Sequence, residues 1–209
     1  MAIAPPLVAS GRGSIGPVNL RLFVALEPPD LVRRRLAALQ AELKRAAGRA
    51  AGEVRWTAPE TVHLTLQFLG GVPEERRPAI EAAVRSAAAT SAPIHLAVSG
   101  TGAFPSVRRA RVVWAGITGD VGPLGELVAA VGRALAPLGF TPEARPFSPH
   151  LTLGRARDGR GAAGLAAALG HAGEGPSASW RAGEVVLFQS HLSPQGARYE
   201  ALSRAPLGG

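Results

Sequence analysis

The tetrapeptide His63-Leu64-Thr65-Leu66 recurs letter for letter as His150-Leu151-Thr152-Leu153. Each copy sits in a strand-like run, Thr61 to Leu69 in the first case and His150 to Leu153 in the second. Side chains alternate between the two faces of a strand. His63 and Thr65 therefore share one face, and Leu64, Leu66 and Phe68 the other. The second copy divides the same way, with His150 and Thr152 opposite Leu151 and Leu153. Each strand has an apolar face for a core and a His/Thr face for something else. A single His beside a Thr on a strand is ordinarily a hydrogen-bonded surface pair. Two identical strands predict a chain built in two halves that bring the two tetrapeptides face to face.

The surrounding pattern supplies the halves. Asn19 to Leu26 reads as a strand, stopped by Pro28-Pro29. Asp30 is placed to cap a helix carrying Val32, Leu36, Leu39 and Leu43 at helical spacing to about Ala47. After a loop, Glu53 to Thr57 leads into the first His strand, which Gly70-Gly71 ends. Pro73 opens a second helix with Ile80, Val84 and Ala87 inside, ending near Pro93. Ile94 to Val98 and Arg111 to Gly116 read as strands, with Gly100 to Pro105 a loop and Trp114 a core residue. Pro123 to Leu138 is a helix lined by Leu124, Leu127, Val128, Val131 and Leu135, with Gly139 as its C-cap. The second His strand follows, then a small-residue-rich stretch from Arg160 to Gly173 with a weak helix around Leu165 and Leu169. Glu184 to Gln189 and Ala197 to Leu202 form a hairpin pattern around Pro194-Gln195-Gly196. Strand pairs joined by short turns, mixed with helices, predict an α+β fold with mostly antiparallel sheets.

Composition narrows the chemistry. The 209 residues suit one large domain or two small lobes. No stretch approaches the roughly 18 to 20 uninterrupted apolar residues of a membrane span. With no cysteine, there is no disulfide, thiolate nucleophile or cysteine metal site. The net charge is +8, carried almost wholly by arginine, since Lys44 is the only lysine. Arginine's planar fork suits phosphate, and this charge favours nucleic acid over a small neutral metabolite. Residues 1 to 18 read as a flexible tail. Their apolar run is broken by Pro5 and Pro6 and lacks a basic leader, so a cytoplasmic location is expected. Gly11-Arg12-Gly13-Ser14-Ile15-Gly16 matches a dinucleotide fingerprint literally. That motif works only between a strand and a helix. Here Pro17 and a strand follow, so the match is rejected.

Two facing imidazoles can supply a general acid and a general base near neutral pH. Threonine hydroxyls beside them can donate hydrogen bonds to anionic oxygens. Neither His has Asp, Glu or Cys at ligand spacing, so no metal and no cofactor are expected. No Ser or Cys nucleophile motif is present. What remains is metal-free acid–base chemistry, for which a phosphodiester is the fitting substrate.

Paired H-x-[ST]-h motifs identify the chain as resembling the two-histidine (2H) phosphoesterase superfamily, and within it the RNA 2′,3′-cyclic phosphodiesterases, also called 2′-5′ RNA ligases. Arg21 to Ala25, Leu69-Gly70, Arg111 to Trp114, Arg145-Pro146-Phe147 and the Gly196 to Tyr199 stretch add to the likeness, which spans about residues 19 to 207. It implies a single bilobal, pseudo-twofold domain over residues 19–209, with sheets lining a central cleft and helices outside. It also implies hydrolysis of a 2′,3′-cyclic phosphate at an RNA end or nucleotide to a 2′-phosphate, with His63 as acid and His150 as base. Thr65, Thr152 and Arg155 would hold the phosphate. Strict alternation puts Arg155 on the core face, so its role requires that it lie past the strand end or at a bulge. No obligate protein partner is implied, and a monomer is expected. The alternatives are the reverse reaction, ATP-independent 2′-5′ end joining, and an RNA-binding module that contacts phosphate without catalysis.

Overall fold

The computed structural model describes residues 19–141, 145–157, 165–171, 176–193 and 196–208. The expected tail and the rejected glycine motif lie outside these residues, as does the turn at Pro194 and Gln195. Nine strands form two antiparallel sheets among the described residues. The first has the order β3 (Leu64–Pro73), β1 (Asn19–Leu26), β8 (Glu184–Ser193), β9 (Gly196–Pro206). The second has the order β2 (Val54–Trp56), β6 (His150–Ala156), β5 (Val112–Gly119), β4 (Ile94–Phe104), β7 (Pro176–Ala182). One His/Thr tetrapeptide enters each sheet, on β3 and β6, as the repeat predicts.

Helices cover the faces turned away from the histidines. α1 (Asp30–Ala47) buries Val32, Leu36, Leu39 and Leu43. α2 (Arg77–Ala89) buries Ile80 and Val84. α3 (Val121–Leu135) buries Leu124, Leu127, Val131 and Leu135. Each fully buried aliphatic side chain contributes about 1.5–3 kcal/mol. Together with the inner residues of both sheets they make one continuous core. Val121–Leu138 is long and apolar enough to cross a membrane by length and composition. Its apolar stripe is nevertheless packed against α2 and the sheets, as a core helix's would be. The short α4 (Ala166–His171) sits where the weak helix is expected.

Several boundaries differ from the sequence reading. Asp30 is the first helical residue and Pro29 the N-cap. The first His strand begins at Leu64 and runs through Gly70, whose φ of 75° a glycine tolerates, to Pro73. The second helix accordingly starts at Arg77, after a 3-10 turn over Glu74–Arg76. β4 absorbs the stretch read as a loop, Gly100 onward, because β5 continues to pair with it to Phe104. β7, with the sequence PSASWRA, is an element the sequence reading lacks. Its small residues have little strand propensity, and it is held by pairing to β4. Gly139 caps the helical segment with φ 80°, as expected.

The register errors matter most. β3 has one residue more than β1 between Thr65, opposite Ala25, and Gln67, opposite Val24. β6 has one residue more than β5 between Thr152, opposite Trp114, and Gly154, opposite Val113. The extra residues are Leu66 and Leu153, at equivalent places in the two tetrapeptides. A bulge of this kind reverses the alternation beyond it. Gln67 therefore turns inward and is buried, while Phe68 turns out and is 60% exposed. Phe68 does not join the core face with Leu64 and Leu66, as strict alternation predicts. Trp114 is not a core residue either, here by plain alternation along β5: buried Val113 and Ala115 flank it on the core face, and it is half-buried on the His/Thr face, tilted against Phe104 at 5.3 Å.

Candidate active site

His63 immediately precedes β3 and His150 opens β6. Their local settings match. The Nδ1 of His63 lies 2.9 Å from the carbonyl oxygen of Thr61. The Nδ1 of His150 lies 2.8 Å from the carbonyl oxygen of Ser148. A carbonyl only accepts, so each neutral ring carries its proton on Nδ1 and leaves the Nε2 lone pair for chemistry. Extended Val62 joins the 3-10 turn to His63, and Pro149 leads into His150.

The packing around the rings differs. His63 lies against Phe23 at 4.6 Å, with Tyr199 edge-on at 4.9 Å and Phe188 at 6.3 Å. Phe23, Ala25, Val186 and Phe188 form a small apolar cluster of their own on this face of the first sheet. His150 meets Phe104 edge-on at 5.0 Å, and its ring hydrogen bond is exposed where that of His63 is part-buried. Burial pulls the proton affinity of His63 below that of an ordinary imidazole; the Thr61 carbonyl opposes this, and the charges of Arg155 and His150 add to it. Burial raises the pKa of the Tyr199 phenol, and the positive charges of Arg155 and Arg21 work against that rise. His63, His150, Tyr199, Arg155 and Arg21 thus share one electrostatic neighbourhood.

Thr65 and His150 line the same cavity of about 1010 Å³, together with Phe68, Phe104, Arg111 and Arg145. Residues of both tetrapeptides therefore face one space. A smaller cavity of about 220 Å³ reaches His63 past Thr61, Tyr199 and Arg198. Thr152 is half-buried on the same side of β6 as His150, opposite Trp114, and lines neither cavity.

Arg155 lies within β6, not past its end, and the bulge at Leu153 turns it outward. Gly154 takes the inward place, where an added Cβ would stand 2.5 Å from Val54 Cγ1. Arg155 is exposed on the His150 side, opposite Val112 on one neighbour and Arg55 on the other. By position in the repeat, Phe68 on β3 is the counterpart of Arg155 on β6.

Sequence reasoning missed Phe23, Phe104, Tyr199, Arg55 and Gln40. The aromatic residues carry no mark that separates a site wall from a core. Gln40 does carry one: it is a polar residue within the apolar stripe Leu36, Leu39, Leu43 of α1. It is 3% exposed, and its amide nitrogen donates to the carbonyl oxygens of Thr57 and Leu153, each at 2.8 Å. His95 and His191 are surface residues, beside Asp120 at 3.6 Å and Glu200 at 3.0 Å. Among the described residues no group of three or more His, Asp or Glu side chains is arranged to hold a metal ion.

Comparison with known proteins is consistent across sequence and structure. A family model described as LigT-like phosphoesterase matches residues 26–114 and 119–199. A Methanothermobacter thermautotrophicus protein named RNA 2′,3′-cyclic phosphodiesterase is 32% identical over 182 residues, covering 87% of this chain and 96% of its own. An Archaeoglobus fulgidus protein of the same name is 37% identical over 138 residues, covering 66% and 73%. A crystal structure from Thermus thermophilus superposes with a TM-score of 0.73 at 28% identity, covering 91% of this chain and 99% of that one. A crystal structure of E. coli LigT complexed with 3′-AMP gives a TM-score of 0.69 at 26% identity, with the same coverage.

Proposed function

The chain belongs to the LigT-like phosphoesterase family, and from that premise we propose that it hydrolyses a 2′,3′-cyclic phosphate at an RNA end to a 2′-phosphate. The observation that carries the reading is the matched pair of imidazoles, each with Nδ1 tied to a carbonyl two residues back and Nε2 left for the reaction.

The chemistry follows from what each group can give. Nε2 of His150 takes a proton from water as the water oxygen bonds to phosphorus. The bond from phosphorus to the ribose 3′-oxygen breaks, and His63 gives that oxygen its proton. The 2′-oxygen keeps the phosphate. The Thr65 and Thr152 hydroxyls donate to the nonbridging oxygens, and the Arg155 guanidinium offsets their charge. Burial favours neutral His63. An anionic phosphate placed beside it raises its pKa again, so the acid is loaded as substrate arrives and gives its proton up readily. We take residues 19–209 as one working unit, because each sheet supplies one half of the site.

RNA and nucleotides are the fitting substrate class. The cavity at Thr65 and His150 carries Arg111 and Arg145 beside exposed Phe68 and Phe147, and interleaved cations and aromatic rings suit single-stranded nucleic acid. The same ring opening serves 2′-5′ end joining when a ribose 5′-hydroxyl in place of water gives its proton to His150 and bonds to phosphorus, the 3′-oxygen leaving with the proton from His63. The test is hydrolysis of an RNA ending in a cyclic phosphate by the wild type and by His63→Ala and His150→Ala. Retention of wild-type rates by either variant would overturn the assignment.

A further inference from the structure

We propose that Gln40, buried in α1 on the far side of β6, is a positioning residue that holds Arg155 on the phosphate side of the strand. The inference rests on the phosphate role given to Arg155 above.

The geometry begins with the extra residue. Leu153 has no partner on β5, and both it and Gly154 face the core. Were β6 regular, Gly154 would sit on the His150 face and Arg155 would point into the core, where a guanidinium has no place. The bulge is what makes Arg155 available. A bulge leaves its extra residue outside the ladder, and a buried carbonyl there needs another donor. The Leu153 carbonyl has two: the Thr57 amide at 2.9 Å and Gln40 Nε2 at 2.8 Å. The second hydrogen of the same Gln40 amide goes to the Thr57 carbonyl at 2.8 Å. One primary amide therefore spans the end of β2 and the bulge of β6, with its two N–H groups spent on two carbonyls.

Nothing else about the position calls for a polar residue. Leu36, Leu39 and Leu43, on the same face of α1, are buried apolar residues. A leucine at 40 would complete the stripe and avoid burying an amide. The first sheet offers a comparison. Its matching bulge at Leu66 turns Phe68 outward in place of an arginine. Among the described residues Gln40 and Gln67 are the only buried polar side chains. The amide nitrogen of Gln67, which stands where Gly154 stands in the repeat, has no hydrogen-bond partner. The bridging amide is thus found at the bulge that presents the charged residue.

The test compares Gln40→Leu, Arg155→Ala and the double variant in the full chain. Two readouts are used: affinity for inorganic phosphate by calorimetry, and kcat and KM on an RNA ending in a 2′,3′-cyclic phosphate. Arg155→Ala should weaken phosphate binding about tenfold or more, the worth of a lost charged hydrogen bond. Gln40→Leu should weaken it in the same sense by about threefold to tenfold and raise KM. The double variant should be no weaker than Arg155→Ala alone, whereas Gln40→Leu combined with Thr65→Ala, in the other sheet, should be additive. A purely structural role would lower the melting temperature and the active fraction while leaving KM and phosphate affinity unchanged, and would overturn the proposal. Full additivity with Arg155→Ala would overturn it too. If Arg155→Ala itself binds phosphate normally, the premise fails. If phosphate binding responds as stated but no RNA is hydrolysed, the positioning stands and the assigned reaction fails. Should Gln40→Leu not fold, Gln40→Met, which keeps the length and removes the donors, takes its place under the same criteria.

Discussion

Gly154→Ala isolates the bulge that separates a core-facing from a site-facing Arg155. An alanine methyl there would stand 2.5 Å from Val54 Cγ1, 3.1 Å from the Arg55 carbonyl oxygen and 3.4 Å from Trp56 Cα. The first distance is more than an ångström inside ordinary carbon–carbon contact. The 2.5 Å clash is with the side chain of buried, β-branched Val54 and the 3.1 Å contact with strand backbone, so relief requires Val54 to leave its rotamer and β2 to give by a few tenths of an ångström. Overpacking of this kind costs about 1–3 kcal/mol. At about 2–4 °C per kcal/mol for a domain of this size, the melting temperature should fall by about 2–12 °C. Val54→Ala removes the offending methyl and is itself destabilising, because Val54 is fully buried. The double variant should therefore cost less than the sum of the two, with a coupling of about 0.5–3 kcal/mol. Thermal unfolding of the four proteins by circular dichroism measures this. A neutral Gly154→Ala, or strict additivity with Val54→Ala, would mean that Gly154 does not face Val54. The bulge would then lie elsewhere, and Arg155 would lose its place at the site.

His63→Ala and His150→Ala should each lower kcat by about 10²-fold or more, and the double variant by far less than the product, because acid and base act as a unit; single-turnover rates on cyclic-phosphate RNA decide it. Thr65→Ala and Thr152→Ala should each cost about 1.5–3 kcal/mol in kcat/KM, the worth of a hydrogen bond to a charged oxygen; steady-state rates on the same RNA check it. Burial holds the folded-state pKa of His63 below its unfolded value, about 6.5. As pH drops below about 6.5 the unfolded chain takes up a proton that folded His63 refuses, so stability falls until the folded pKa is passed and then levels. Melting temperatures at pH 8 and pH 5.5 should show a larger loss for the wild type than for His63→Gln. Oligonucleotide affinity should weaken with salt between dilute and physiological buffer; an affinity indifferent to salt would point to a neutral ligand.

The two His/Thr strands were legible because alternation is a one-dimensional signal, and it survives folding unchanged up to Thr65 and Thr152. Beyond those residues it fails. An extra residue in a strand is defined only by its neighbour's register, and neither Leu66 nor Leu153 differs in type from a regular core leucine. Phe68 and Arg155 were therefore assigned to the wrong face by the same rule that placed the histidines. The family resemblance places Arg155 at the site only if a bulge or the strand end intervenes, and the extra residue at Leu153 is such a bulge. β7 was missed because a strand of small residues is held by β4 and not by its own propensity. Gln40 was visible as a polar interruption of an apolar helical stripe, yet its meaning depends on Leu153, far along the chain. The helices came through well, since Leu36, Ile80 and Leu127 sit in stripes whose period needs no tertiary information.

Metal-free two-histidine opening of a cyclic phosphodiester has a distinctive signature in chelator and in the product end. The direct measurement is incubation of the purified chain, in excess EDTA, with an RNA ending in a 2′,3′-cyclic phosphate, followed by mapping of the product end. Two-histidine catalysis gives full activity and a 2′-phosphate, with no turnover of the same RNA ending in a 3′-phosphate. Activity that vanishes with the chelator and returns with a divalent metal, or a product carrying a 3′-phosphate, would contradict it.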